Sequence, residues 1–349
     1  MSGKRRSGRV VVGFYTDRKK RVRPITVPLW RLRRLHAQRS LRAQIIDEAL
    51  EARRAPSPEY WMKHMNRTDI VGVDLFPTPT ASSKKLTPQQ RFAINYQLIQ
   101  DALERTFGHK TLLHKIQYEV VTDPKKWKHP GVLAYCTTKA KPIKIVYGPE
   151  VYKAIMKGEI TNRKEFRAYE AMVHENLHAL VGDAKYNSLF EEGSTELLAQ
   201  RFVLNTVQMP KRLREELLKK PEYTYEPFVK NVASIALLMA DGDPVKAMRW
   251  LERTKTPSRK EQDRIISEMN RKIGRILSYV NPEASKSQIK AETLRFCGVG
   301  SDKYKIAMEN KKRFLKIVKS MLESPRKEVR EKGKRIMRVI KTPYWWLRV

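Results

Sequence analysis

Val173 to Leu197 read VHENLHALVGDAKYNSLFEEGSTEL. His174 and His178 are four residues apart, so on a helix they share one face, about 40° from each other. Glu175 is turned about 100° from His174 and stands beside that face. Phe166, Tyr169, Met172, Val173, Leu177, Leu180 and Val181 form an apolar stripe that would half bury such a helix. The pattern predicts a helix over Arg163–Val181, closed by Gly182. A polar connection from Gly182 to Ser188 then reverses the chain, and a second helix is expected over Leu189–Val203. Two helices joined so briefly pack antiparallel, and Gly193 permits a close helix approach.

Two imidazoles on one face can grip a single metal ion, and the glutamate beside them can take a proton from a metal-bound water. A catalytic zinc has three protein ligands and keeps a fourth position open. His174, His178 and Glu192 are therefore the candidate ligands of one Zn2+ per chain, with Glu175 as general base. Glu191 is the alternative ligand, rotated about 100° from Glu192. Glu196, one turn beyond Glu192, is expected to accept the second ring N–H of a ligand histidine and fix its tautomer. Tyr186, in the connection between the helices, is a candidate for stabilising an oxyanion, set against a plain packing role on the helix pair.

H-E-x-x-H followed by E-G-x-T-E resembles the gluzincin metallopeptidases, over about 90 to 120 residues. The resemblance implies that His174, His178 and Glu192 bind zinc, Glu175 is the base and Glu196 supports the ligands. It also implies a small sheet before the motif helix, whose edge strand binds an extended substrate. The spacing between His178 and Glu192 is short for large gluzincins and suits a minimal domain with reduced specificity pockets.

Outward from this stretch, Thr87-Pro88 starts a helix that runs to about Gly108, with Phe92, Tyr96, Ile99 and Leu103 on one side. Lys115–Val121, Gly131–Thr138 and Ile143–Tyr147 read as strands, and Val151–Met156 as a short helix. Beyond Pro210 the pattern is helical nearly to the end. Phe228–Met239 is the most apolar segment; Pro244–Arg253, Pro257–Val280, Lys303–Leu322 and Pro325–Ile340 are amphipathic. Trp345 and Trp346 are expected to pack back on the body or to dock on a partner. The expected fold is α+β: a minimal zincin-like domain at 87–208, with a small sheet, an active-site helix and a glutamate helix. A basic arm at 1–86 precedes it, and a mainly helical basic region at 209–349 follows.

The 349 residues carry a net charge of +35. Charge of that size predicts attraction to polyanions, nucleic acid first. The first 40 residues contain a single acid, Asp17. Arg9–Thr16 and Arg21–Val27 read as a hairpin within them, followed by Pro28–Arg54 as a basic helix and 55–86 as a linker. No apolar run reaches the roughly 18 residues of a membrane span, and the N-terminus lacks the apolar core of a signal peptide. Cys136 and Cys297 are too few for a disulfide framework and imply a reducing interior. His36, His64, His109, His114 and His129 read as ordinary. The leading expectation is a zinc peptidase acting on a protein or peptide substrate, intracellular or virion-associated, whose basic flanks tether it to nucleic acid or to other subunits of a particle. The alternative is a structural nucleic-acid-binding or virion component with a non-catalytic zincin-like domain.

Overall fold

The computed structural model describes residues 9–16, 22–28, 88–107, 116–138, 142–182 and 185–349, the first two segments as backbone. Among them the protein is α+β, mostly helical, with a three-stranded sheet. β1 (Arg9–Thr16) and β2 (Val22–Pro28) form an antiparallel hairpin whose register shifts between Val11 and Gly13. The basic helix expected after Pro28, the linker up to 86, and His36, His64, His109 and His114 lie outside the described residues.

α1 (Pro88–Phe107) leads to β3 (Gln117–Val120), β4 (Ala134–Thr137) and β5 (Lys144–Tyr147). The sheet order is β3-β5-β4, with β5 parallel to β3 and antiparallel to β4. The strands are shorter than their alternating patterns. The central strand sets the limit: Pro142 precedes it and Pro149 follows it, and neither can donate to a ladder.

α2 (Pro149–Lys157) ends at Gly158, whose φ of +84° closes the helix. α3 (Arg163–Val181) follows, capped by Asn162, whose side chain accepts the Glu165 N–H at 3.0 Å. A buried polar network fixes the rotation of α3. Asn176 donates to the Tyr147 hydroxyl at 2.7 Å, and its carbonyl oxygen accepts from Gln100 at 2.7 Å and from Tyr96 at 3.3 Å. Asn176 is turned about 200° from His174, so locking it to α1 and β5 aims the histidines the other way.

α4 (Ser188–Thr206) starts at Asn187, whose side chain accepts the Phe190 N–H at 3.0 Å. Then come α5 (Lys211–Lys219), α6 (Glu226–Met239), α7 (Pro244–Thr254), α8 (Arg259–Val280), α9 (Lys286–Phe296), α10 (Lys303–Glu323) and α11 (Lys327–Ile340). α8 begins two residues after the expected Pro257, because the Ser258 hydroxyl caps it by accepting the Glu261 N–H. The sequence pattern singles out no helix at α9, because its apolar stripe is weak; a Ser285–Gln288 capping box marks its start.

One apolar core runs from Phe92 to Leu347, and helices on both sides of residue 208 share it. Trp345 and Trp346 are buried in it, and the Trp346 indole donates to the Tyr223 hydroxyl at 2.8 Å. Arg201 of α4 donates to the Val349 carbonyl at 2.8 Å. No described helix is long and apolar enough to cross a membrane.

Gly193 permits a close approach, but the partner is α6 rather than α3. A Cβ at this position would lie 2.7 Å from the Phe228 carbonyl oxygen, which is backbone and cannot move aside cheaply. Gly193→Ala should lower stability by about 1–3 kcal/mol, read as a lower urea midpoint at unchanged slope.

Glu170, on α3, is 4 % exposed. Burial outweighs the Arg167 guanidinium 3.7 Å away and pushes its carboxyl up from 4.5 to about 8. The folded pKa is thus above the unfolded one. The stability that Glu170 contributes is complete below the unfolded pKa of 4.5 and is lost as pH rises through about 8. Glu170→Gln should remove that part of the decline in a urea titration run across this window, and an unchanged pH profile would show that the carboxyl titrates normally.

Candidate metal centre

α3 and α4 pack against each other after the turn at Gly182, which takes a φ of +69°. The packing sets His174 and His178 of α3 opposite the first turns of α4. His174 Nε2 and His178 Nε2 are 2.9 Å apart, and each lies 3.3 Å from Glu192 Oε2. Three electron-pair donors thus converge on one point. A tetrahedral ion with bonds of about 2.0–2.1 Å needs donor separations of about 3.3 Å. The two histidine–glutamate separations match that spacing, the 2.9 Å between the imidazole nitrogens is shorter, and Glu192 rather than Glu191 stands at the carboxylate corner.

The local field suits a cation. Burial alone would lower the His178 pKa, but contacts with Glu191 and Glu192 push it up to about 9. Burial likewise opposes ionisation of Glu192, yet the two imidazoles hold its carboxyl well below the usual range.

Glu175 is partly exposed but crowded by protein, and that desolvation raises its pKa against the pull of His174 and His178. The backbone N–H of Cys136 in β4 favours its charged form, a smaller effect than burial. β4, an outer strand of the sheet, packs against α3, the helix that carries His174, Glu175 and His178. Cys136 itself is partly buried and its thiol is pushed up to about 12, chiefly by burial.

Two sequence expectations need correction. Glu196 was expected to take a histidine ring N–H. Its carboxylate instead accepts the backbone N–H groups of Thr224 at 2.5 Å and Tyr225 at 2.8 Å. The carboxylate that meets a ligand histidine is Glu191, whose Oε1 lies 3.3 Å from His178 Nδ1. The rotation that turns Glu191 away from the His174–His178–Glu192 triangle turns it toward the second nitrogen of the His178 ring. Tyr186 was weighed as an oxyanion donor. It is buried against Phe190, with ring centroids 5.3 Å apart, and its hydroxyl feels the charges of Glu191 and Glu261. The tyrosine in the field of Glu192, Glu196 and Glu175 is Tyr225, half-buried at the start of α6. Nothing local in the sequence marks Tyr225, whose backbone N–H is held by Glu196 and whose ring stacks on Phe228.

His174→Ala should abolish stoichiometric zinc binding while Glu175→Gln should not, as measured by elemental analysis of the purified proteins. Equal zinc in the parent and in His174→Ala would remove α3 from the site. Comparison of the chain with protein-family models, with curated proteins and with solved structures returns no match.

Proposed function

We propose that the protein is a zinc-dependent peptidase of gluzincin type, held on nucleic acid or a nucleoprotein particle by its basic flanks. The observation that carries this reading is the convergence of His174, His178 and Glu192 at 2.9–3.3 Å beside a desolvated Glu175. Zinc at this triangle supplies a Lewis acid that polarises a carbonyl and lowers the pKa of water toward about 7.

The remaining steps belong to the chain's own groups. Glu175, with its carboxyl raised by burial, takes the proton of the attacking water and returns it to the leaving amine. β4 is an outer strand of the sheet and pairs with β5 alone among the described strands, so its other edge suits an extended peptide. The Tyr225 hydroxyl shares the field of the site and is the donor for a developing oxyanion.

This assignment predicts a clean separation of binding from turnover. Glu175→Gln should retain zinc and lose hydrolysis of a mixed peptide library. Tyr225→Phe should retain zinc and lower kcat by about 10²-fold or more. Hydrolysis that survives Glu175→Gln would remove the general-base role.

The net charge of +35 favours a second reading, in which the zincin-like unit is a structural module of a nucleic-acid-binding particle protein. The two readings share one consequence. Affinity for a polyanion should fall steeply with salt, with log Kd linear in log salt concentration. A flat response in a filter-binding titration would remove nucleic acid from both. A parent protein that binds zinc, assembles with nucleic acid and cleaves no peptide would favour the structural reading.

A further inference from the structure

Lys255, at the end of α7, has no exposed surface at all. A buried ammonium persists only where its donors are matched. Its Nζ lies 3.0 Å from Glu191 Oε1 and 2.6 Å from Thr195 Oγ1, and the Thr195 hydroxyl donates in turn to Glu191 Oε1 at 3.3 Å. Glu191 is itself only 6 % exposed. The same Oε1 is the atom 3.3 Å from His178 Nδ1. One carboxylate oxygen therefore joins a buried lysine on one side to the imidazole that carries a candidate metal donor on the other.

The surroundings of this chain are built from the same part of the molecule. Gln262 of α8 is fully buried, donates to the Thr256 carbonyl at 2.9 Å and accepts the Lys185 N–H at 3.0 Å. Lys185 lies in the connection between α3 and α4. Asn187, the cap of α4, donates to the Cys297 carbonyl at 2.8 Å. The helices beyond residue 209 thus grip the connection from one side and hold Glu191 from the other.

We infer that Glu191 and Lys255 are positioning residues of the metal centre. Glu191 fixes His178 with its Nε2 toward the metal, and Lys255 fixes Glu191, so α7 and α8 set the metal affinity of a site borne on α3 and α4. The inference rests on the metal-centre reading above. It assigns the backing role to the residue immediately before Glu192, with a lysine 64 residues away as its counter-charge. Ring orientation and ligand basicity are what a carboxylate behind a ligand histidine controls, and its loss weakens metal binding by about 10–100-fold.

The test is the zinc Kd of the full chain, measured by competition with a chromophoric chelator and paired with the visible spectrum of the Co2+ form. Glu191→Gln keeps the shape and the acceptor oxygen but removes the charge. It should weaken zinc about 10–100-fold and shift the Co2+ bands. It also leaves Lys255 buried without its counter-ion, so its thermal transition should fall. The double variant Glu191→Gln, Lys255→Met removes the charges as a pair. It should recover the thermal transition of the parent and keep the affinity loss, a combination that a purely structural ion pair would not produce. Parent-like zinc affinity in both variants, with binding still abolished by His174→Ala, would overturn the inference and leave the metal centre standing. Absence of zinc binding by the parent, or its survival in His174→Ala, would overturn both.

Discussion

Taking a carboxylate out of water costs several kcal/mol unless its charge is met where it lands. Glu191 is buried in the seam between α3 and α4, and much of the architecture follows from meeting that charge. An imidazole on one side is not enough, since its own charge depends on protonation. A full cation has to be brought in, and Lys255 is that cation. Burying Lys255 in turn requires α7 to end against α4 and Thr195 to turn its hydroxyl inward. Burial therefore lowers the Lys255 pKa, while the same contacts hold Glu191 down to about 2. The two-helix hairpin and the helical region beyond it are one electrostatic unit.

A second polar network works on the opposite side of α3. Asn176 is bound to Tyr147, Tyr96 and Gln100, and every one of these groups is buried. A helix packed by apolar contacts alone can roll about its axis at little cost, because Leu and Met side chains adapt. An amide held by three partners cannot roll without leaving polar groups unpaired. His174, Glu175 and His178 therefore inherit a fixed direction from a residue that does not face the site.

Much of this was legible in the chain. The helix over Arg163–Val181, with Gly182 beyond it, follows from apolar periodicity and a glycine stop. The hairpin in the basic arm and the order of strands before helices follow from alternation and turn residues. Which carboxylates sit together was only partly legible. Helical geometry turns Glu191 away from Glu192, but one helix alone cannot say what the averted side chain meets, because that depends on the neighbour's ring. Lys255 was invisible for a different reason. It is one of 72 basic residues, and nothing local distinguishes the one that is buried. Tyr225 and Gln262 were missed likewise, since each acts through contacts made across long stretches of chain. The short strands were overestimated because alternation reports an extended backbone, while pairing stops where prolines bound the central strand.

The separations along the chain also order these contacts in time. His178 and Glu192 are 14 residues apart, whereas Glu191 and Lys255 are 64 apart, Asn187 and Cys297 110, and Arg201 and Val349 148. Closing a longer loop costs more entropy, and contacts of long range form later. Chain entropy therefore favours the helical hairpin as the early event, with Glu191 still in water and free to bind whatever cation is near. Its native counter-charge arrives only when the following helices dock. A nascent or partly unfolded molecule would present Glu191, Glu192 and the two imidazoles on a loose hairpin, a set of donors with little power to choose among divalent metals. On the metal-centre proposal, selectivity belongs to the completed fold, and the ion captured early need not be the ion retained.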